Sequence, residues 1–158
     1  MNTIDQAIQF TEQNLKQFIH NFTFIPDDKL NWSPSPSAKT PMQILAHCAV
    51  AAQGLVEPLT GQSNNTPIEE ILKQISSAEA ELTNKEQAIN VLKDGVAKGL
   101  AAMRSLKLED LDKVVNHPFI NAPISFWMNL FWRHLDVHGG QIDYLQTIWG
   151  DNDFHFAR

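Results

Sequence analysis

The side chains with the clearest capacity for chemistry are histidines. Six are present, His20, His47, His117, His134, His138 and His155, and a single pair stands at a spacing that lets two imidazoles share an ion. In Arg133-His134-Leu135-Asp136-Val137-His138 the two are four residues apart. On a helix such residues lie one turn above each other, with about 5–6 Å between Cβ atoms. Both rings can then reach one divalent cation at about 2.0–2.1 Å. At about 100° per residue, Ile124, Trp127, Phe131, Ile142, Leu145 and Ile148 define the inward stripe of that helix, and His134 and His138 project within it. Neutral imidazoles facing an apolar interior need partners, because an unsatisfied buried polar group costs about 1–3 kcal/mol. Spacing leaves two solutions open: a shared metal ion, or hydrogen bonds to Asp, Ser or backbone groups.

The neighbouring reactive groups point to structural roles. Cys48 follows His47 directly, and adjacent helical residues diverge by about 100°, so the thiol reads as a core residue. Asp136 falls about 200° from His134 and Asp143 about 140° from His138, which places both on a solvated face. Trp127, Phe131, Trp132 and Trp149 make this helix aromatic-rich, suited to a core or to a homodimer interface, and Phe131, one turn before His134, could wall a site. His20, His117 and His155 have no partner at ligand spacing and read as surface or loop residues. No Gly-rich phosphate loop, nucleophile elbow or Cys-x-x-Cys motif is present.

Positioning these residues requires long helices, and the sequence punctuates four of them. Apolar residues at Ile4, Ala7, Ile8, Leu15, Phe18, Ile19 and Phe22 predict a first helix from Thr3 to about Phe24. Prolines at 26, 34 and 36 then predict an extended connection. Thr40, Pro41 and Gln43 form a helix start with a capping box, opening a second helix to about Glu57, closed by Pro58 and Gly61. That helix is apolar nearly all round, and His47 lies on its one weakly polar strip, beside Gln43 and Gly54. Helical geometry by itself does not send His47 inward. Thr66-Pro67-Ile68-Glu69 predicts a short extra helix to about Ile75, and Thr83-Asn84-Lys85-Glu86 a third long helix to about Ser105. The fourth begins near Pro123, with Asn121 as a candidate cap, and stops at Gly150, which suits a C′ position. No alternating run argues for a sheet. The fold expected is all-α: one four-helix bundle with a short extra helix between helices two and three.

Bulk properties narrow the function classes. Twelve Lys and Arg against 18 Asp and Glu give a net charge of −6, which opposes phosphate-backbone binding, so no nucleic-acid partner is expected. No segment approaches the roughly 18 apolar residues of a membrane span, and residues 1–10 lack a basic segment followed by an apolar run. One cysteine allows no internal disulfide. The expectation is a cytoplasmic chain of 158 residues forming one domain.

Pro41-Met42-Gln43-Ile44-Leu45-Ala46-His47-Cys48, with His134 to Leu145 and the following Gly150, resembles the DinB-like (DinB/YfiT) metalloenzyme superfamily. The resemblance runs along nearly the whole chain in helix order, and its specific part is these two motifs. It implies a bundle with one histidine on the second helix and the pair on the fourth, together binding a divalent metal, zinc or nickel. The implied ligands are therefore His47, His134 and His138. Two positions depart from the family pattern: Gly139 stands where an arginine is common, and Cys48 where leucine is favoured. Characterised relatives include transferases and isomerases that use low-molecular-weight thiols. The activity implied is that of a metal-dependent enzyme activating a small thiol or water for transfer, isomerisation or hydrolysis of a small-molecule substrate. A second expectation, of another class, is a metal- or small-ligand-binding stress-response protein without turnover, since no general base can be placed from the sequence.

Overall fold

A computed structural model describes residues 1–157. The first helix, α1 (Thr3–Asn21), opens on a capping box that periodicity does not reveal: Asn2 Oδ1 accepts from the Asp5 N–H at 2.9 Å, and Asp5 returns the bond to the Asn2 N–H. It stops three residues earlier than expected, because residues 22–24 tighten into a 3-10 turn. The second helix, α2 (Pro41–Gly54), starts as its sequence predicts, with Thr40 Oγ1 accepting from Gln43 N–H and Gln43 Oε1 accepting from Thr40 N–H. It ends before Glu57, and a four-residue helix, α3 (Val56–Leu59), follows.

The extra helix, α4 (Ile68–Glu81), runs well past the expected end at Ile75. Its expected capping box is not formed, since Pro67 takes the cap position without a side-chain bond. The long helix α5 (Lys85–Ser105) is capped by Asn84, whose Oδ1 accepts from Gln87 N–H, and not by Thr83. The last helix, α6 (Ile124–Ile148), has no side-chain cap; Asn121 instead accepts from the His117 N–H. Gly150 does take the left-handed conformation, φ +89°, and closes a Schellman motif through Gly150 N–H to Thr147 O and Asp151 N–H to Gln146 O. A two-residue antiparallel pair, β1 (Val114–Val115) with β2 (Ala122–Pro123), is too short to leave an alternating signal and ties off the loop between α5 and α6.

The four long helices α1, α2, α5 and α6 form the bundle, with α1 and α2 each packed against both α5 and α6. Consecutive α1 and α2 therefore sit diagonally, which the 19-residue connection 22–40 is long enough to permit. Leu45, Ala49, Leu92, Val96, Met103, Met128, Phe131 and Ile142 fill the centre. Ile148, counted in the inward stripe of α6 by periodicity, is exposed instead. The extra helix α4 lies outside the bundle against α2 and buries none of its side chains fully. Among the described residues no helix is long and apolar enough to cross a membrane.

Two glycines mark the closest helix contacts. A Cβ at Gly95 would stand 2.9 Å from the Ala52 carbonyl carbon and 2.9 Å from the Gln53 nitrogen, and one at Gly99 would run into the buried Phe131 ring. Backbone cannot yield to such a contact, so Gly95→Ala should destabilise by about 1–3 kcal/mol despite its better helix propensity. At Gly140, also helical, a Cβ meets nothing within 4 Å, and Gly140→Ala should stabilise by up to about 1 kcal/mol. Urea unfolding of the two variants checks this; the same sign for both would refute the packing account.

Candidate metal centre

His47 reaches the site because of what surrounds α2. With α5 and α6 packed on α2 and α4 laid along it, the apolar residues of α2 are used on several sides. The weakly polar strip of His47, Val50, Ala51 and Gly54 then lines a cleft facing α4 and α6, which opens to solvent at Gly54. The matching strip on α6, Trp127, Leu130 and His134, at steps of three and four residues, lines the opposite wall. His138 continues it one turn further.

The structure brings His47, His134 and His138 together, with one ring nitrogen from each lying within 4.8 Å of the others. Ring centroids are 5.0 Å apart for His47–His134, 4.8 Å for His47–His138 and 4.5 Å for His134–His138. Two rings are pinned through Nδ1. Glu79 Oε1 lies 2.7 Å from His47 Nδ1, and Gln141 Oε1 lies 2.7 Å from His138 Nδ1. Each acceptor oxygen draws the ring proton to Nδ1 and leaves the Nε2 lone pair free. His47 Nε2 stands 3.2 Å from His134 Nε2. Nitrogens around a tetrahedral ion at about 2.0–2.1 Å are themselves about 3.3 Å apart, so the donor set fits a divalent cation. Without an ion, the same contact is a hydrogen bond donated by His134 Nε2–H.

Burial and the neighbouring rings push His134 down to a pKa of about 3, and burial also lowers His138. Both rings are therefore neutral at physiological pH, the form that ligates metal. Glu79 is held in turn by Lys39, whose Nζ is 3.7 Å from Oε2. An end of α4 at Ile75, as the sequence predicts, leaves out Glu79; extending the stripe Ile68, Ile71, Ile75 by four residues reaches it. Gln141 stands three residues after His138, a spacing at which two helical side chains meet, and this alone signals its contact.

The remaining residues fall as follows. Cys48 is buried, and burial raises its pKa, consistent with a core role. Phe131 walls no site: it packs on α5 at Gly99, and Leu130 lines the cleft instead. Asp136 is exposed, and Asp143 bonds the Asn21 amide at 2.6 Å, so neither touches the histidines. His155 is not an ordinary loop residue, since it stacks on Phe24 and bonds Asp151 at 2.8 Å, docking the C-terminal segment. His117 is no bland surface residue either, because it lines the far end of the cleft. His20 packs edge-on to Phe24.

A family model described as the DinB superfamily matches residues 7–142. Among solved structures, the chain is similar to YfiT from Bacillus subtilis, a probable metal-dependent hydrolase with an unusual four-helix bundle topology. That likeness has a TM-score of 0.75 at 16% identity and covers 93% of this chain and 87% of that one, which establishes a shared fold. No curated protein has a matching sequence.

The low pKa of His134 has a consequence for the metal-free protein. As pH falls below about 6.5, the unfolded chain takes a proton on this ring that the folded chain refuses until about 3. The folded state is thus favoured most above pH 6.5 and loses that advantage as pH falls toward 3. In chelator, wild-type unfolding between these limits should take up about one proton more than that of His134→Leu, read from the pH dependence of urea midpoints. Parallel pH profiles would show that the His134 ring is not desolvated.

Proposed function

The chain belongs to the DinB superfamily, and from that premise we propose that it is a metal-dependent enzyme acting on a small electrophilic molecule, with water or a small thiol as nucleophile. His47, His134 and His138 would hold one divalent ion, zinc or nickel. The observation that carries this reading is the convergence of three imidazoles, two of them pinned through Nδ1, at a spacing that suits one ion. Three protein ligands leave a coordination position open, the arrangement typical of catalytic sites. A bound divalent ion would supply Lewis acidity, lowering the pKa of a coordinated water or thiol and polarising a carbonyl oxygen.

The chain's own residues contribute orientation and exclusion of water. Glu79 fixes the tautomer and plane of His47 from a third helix, and Lys39 in turn restrains the Glu79 carboxylate. Gln141 does the same for His138 from one turn along α6. The apolar cleft on the His47–His134 side keeps solvent sparse where a substrate would approach. A basic side chain is also nearby, although from Lys39 ahead of α2 and not from position 139, where the resemblance leads one to look.

Titration of chelated protein with zinc or nickel should show about one site per chain, confirmed by elemental analysis. His47→Ala, His134→Ala and His138→Ala should each weaken binding more than Glu79→Ala, which should cost about 10–100-fold. His20→Ala, His117→Ala and His155→Ala should leave affinity unchanged. The ligands sit on packed helices, so chelation should lower the melting temperature without loss of helical circular dichroism. Metal-loaded wild type, but not His138→Ala, should turn over activated electrophiles with water or added thiol. Wild-type metal affinity in His47→Ala would sink the proposed ligand set.

A further inference from the structure

The cleft that starts at the histidines is far larger than a metal site requires. It encloses about 610 Å³ between α2, α4 and α6, beneath the loop around residues 117–120. Small-molecule sites fall at about 300–1,000 Å³. Val50, Ala51, Ile71, Ile75 and Leu130 make its walls mainly aliphatic. The helix α4 bears directly on what fills it. Its apolar stripe of Ile68, Ile71, Ile75 and Ala78 is only half-buried, and no side chain of the helix is fully buried. An apolar stripe against a void forgoes dispersion contacts, which an apolar occupant restores.

The polar groups of the cleft restrict the charge of that occupant. None of its described lining residues is Lys or Arg, and its one carboxylate, Glu57, accepts from the Asn64 amide at 2.8 Å. In the metal-free protein an anion would therefore meet no cationic side chain along these walls. His117 closes the far end, packed on Trp127 with ring centroids 4.7 Å apart. Trp127 precedes His134 by seven residues, about 10 Å along the helix. The Phe119 N–H donates to His117 Nδ1 at 3.3 Å, so the neutral ring carries its proton on Nε2 and presents a hydrogen-bond donor.

We propose that this cleft binds the apolar body of an uncharged small molecule, with one end beside His47 and His134 and the other beside His117. The identity of the inner end as the reacting end rests on the metal-enzyme reading above; occupancy of the cleft does not. The test uses the uncharged fluorophore N-phenyl-1-naphthylamine on both chelated and zinc-loaded protein. Saturable binding at about one site per chain is expected. On chelated protein the sulfonated relative 1-anilinonaphthalene-8-sulfonate should bind at least about 10-fold more weakly, a difference of about 1.4 kcal/mol.

Two variants fill or charge the cleft from α4, where no side chain is fully buried: Ile75→Trp and Ile71→Asp. Each should weaken the uncharged probe at least about 10-fold while zinc affinity and helical circular dichroism stay at wild-type values. Leu72→Trp, on the exposed side of α4, should retain wild-type probe affinity. Unchanged binding in both cleft variants, or equal affinity of the chelated protein for the sulfonated probe, overturns the proposal. So does a concentration-dependent dimer abolished by Ile75→Trp, which would assign the cleft to a second copy of the chain. Probe binding with no zinc binding would sink the metal reading and leave the cleft assignment supported.

Discussion

At Gly95 the backbone of α2 lies so close to α5 that a single methyl group would stand 2.9 Å from the Ala52 carbonyl carbon. That approach has consequences on the far side of α2. With α5 seated against one side of α2, the strip containing His47, Val50, Ala51 and Gly54 lines the cleft between α2, α4 and α6. The same strip is then presented to α6, whose own packing is set by Phe131 nested at Gly99. Two small residues on α5, one turn apart, thus decide how near the histidine-bearing helices come to each other. A close-packed interior transmits such a constraint instead of absorbing it.

The histidines themselves are supported from three directions. The rings come from α2 and α6, while Glu79 on α4 and Gln141 on α6 hold two of them by Nδ1. This division separates the elements that supply donors from an outer helix that orients one of them. It also explains why α4, which adds no fully buried side chain, still bears on the centre. Burial in turn keeps His134 and His138 neutral, so proton competition at these two rings is weak near neutral pH.

The outer helix has a second role that its half-packed stripe reveals. A bundle optimised for stability alone would close the space between α2, α4 and α6 with larger side chains. Here Ala51, Gly54 and Ala78 keep it open next to the histidines. A concave, mainly apolar cleft with a few convergent polar groups has the physical form of a small-molecule site.

The sequence by itself determined the long helices and one of the two motifs in full. Apolar periodicity marked α1 and α5, the Thr40–Gln43 box marked the start of α2, Gly150 marked the end of α6, and the i,i+4 spacing of His134 and His138 placed two rings on one face. These are local matters, settled by dihedral preferences and by one turn of helix. His47 was different. Its helix is apolar nearly all round and His47 lies on the one weakly polar strip, so the wheel does not turn it inward, and only the family resemblance points to it. Glu79 could not be paired with His47 from sequence, because they lie 32 residues apart on different helices. The same holds for His117, which looked like a loop residue until β1, β2 and Trp127 set it at the end of the cleft. Which faces meet is decided by packing between segments distant in the chain, through contacts such as those at Gly95 and Gly99, and no local pattern encodes that.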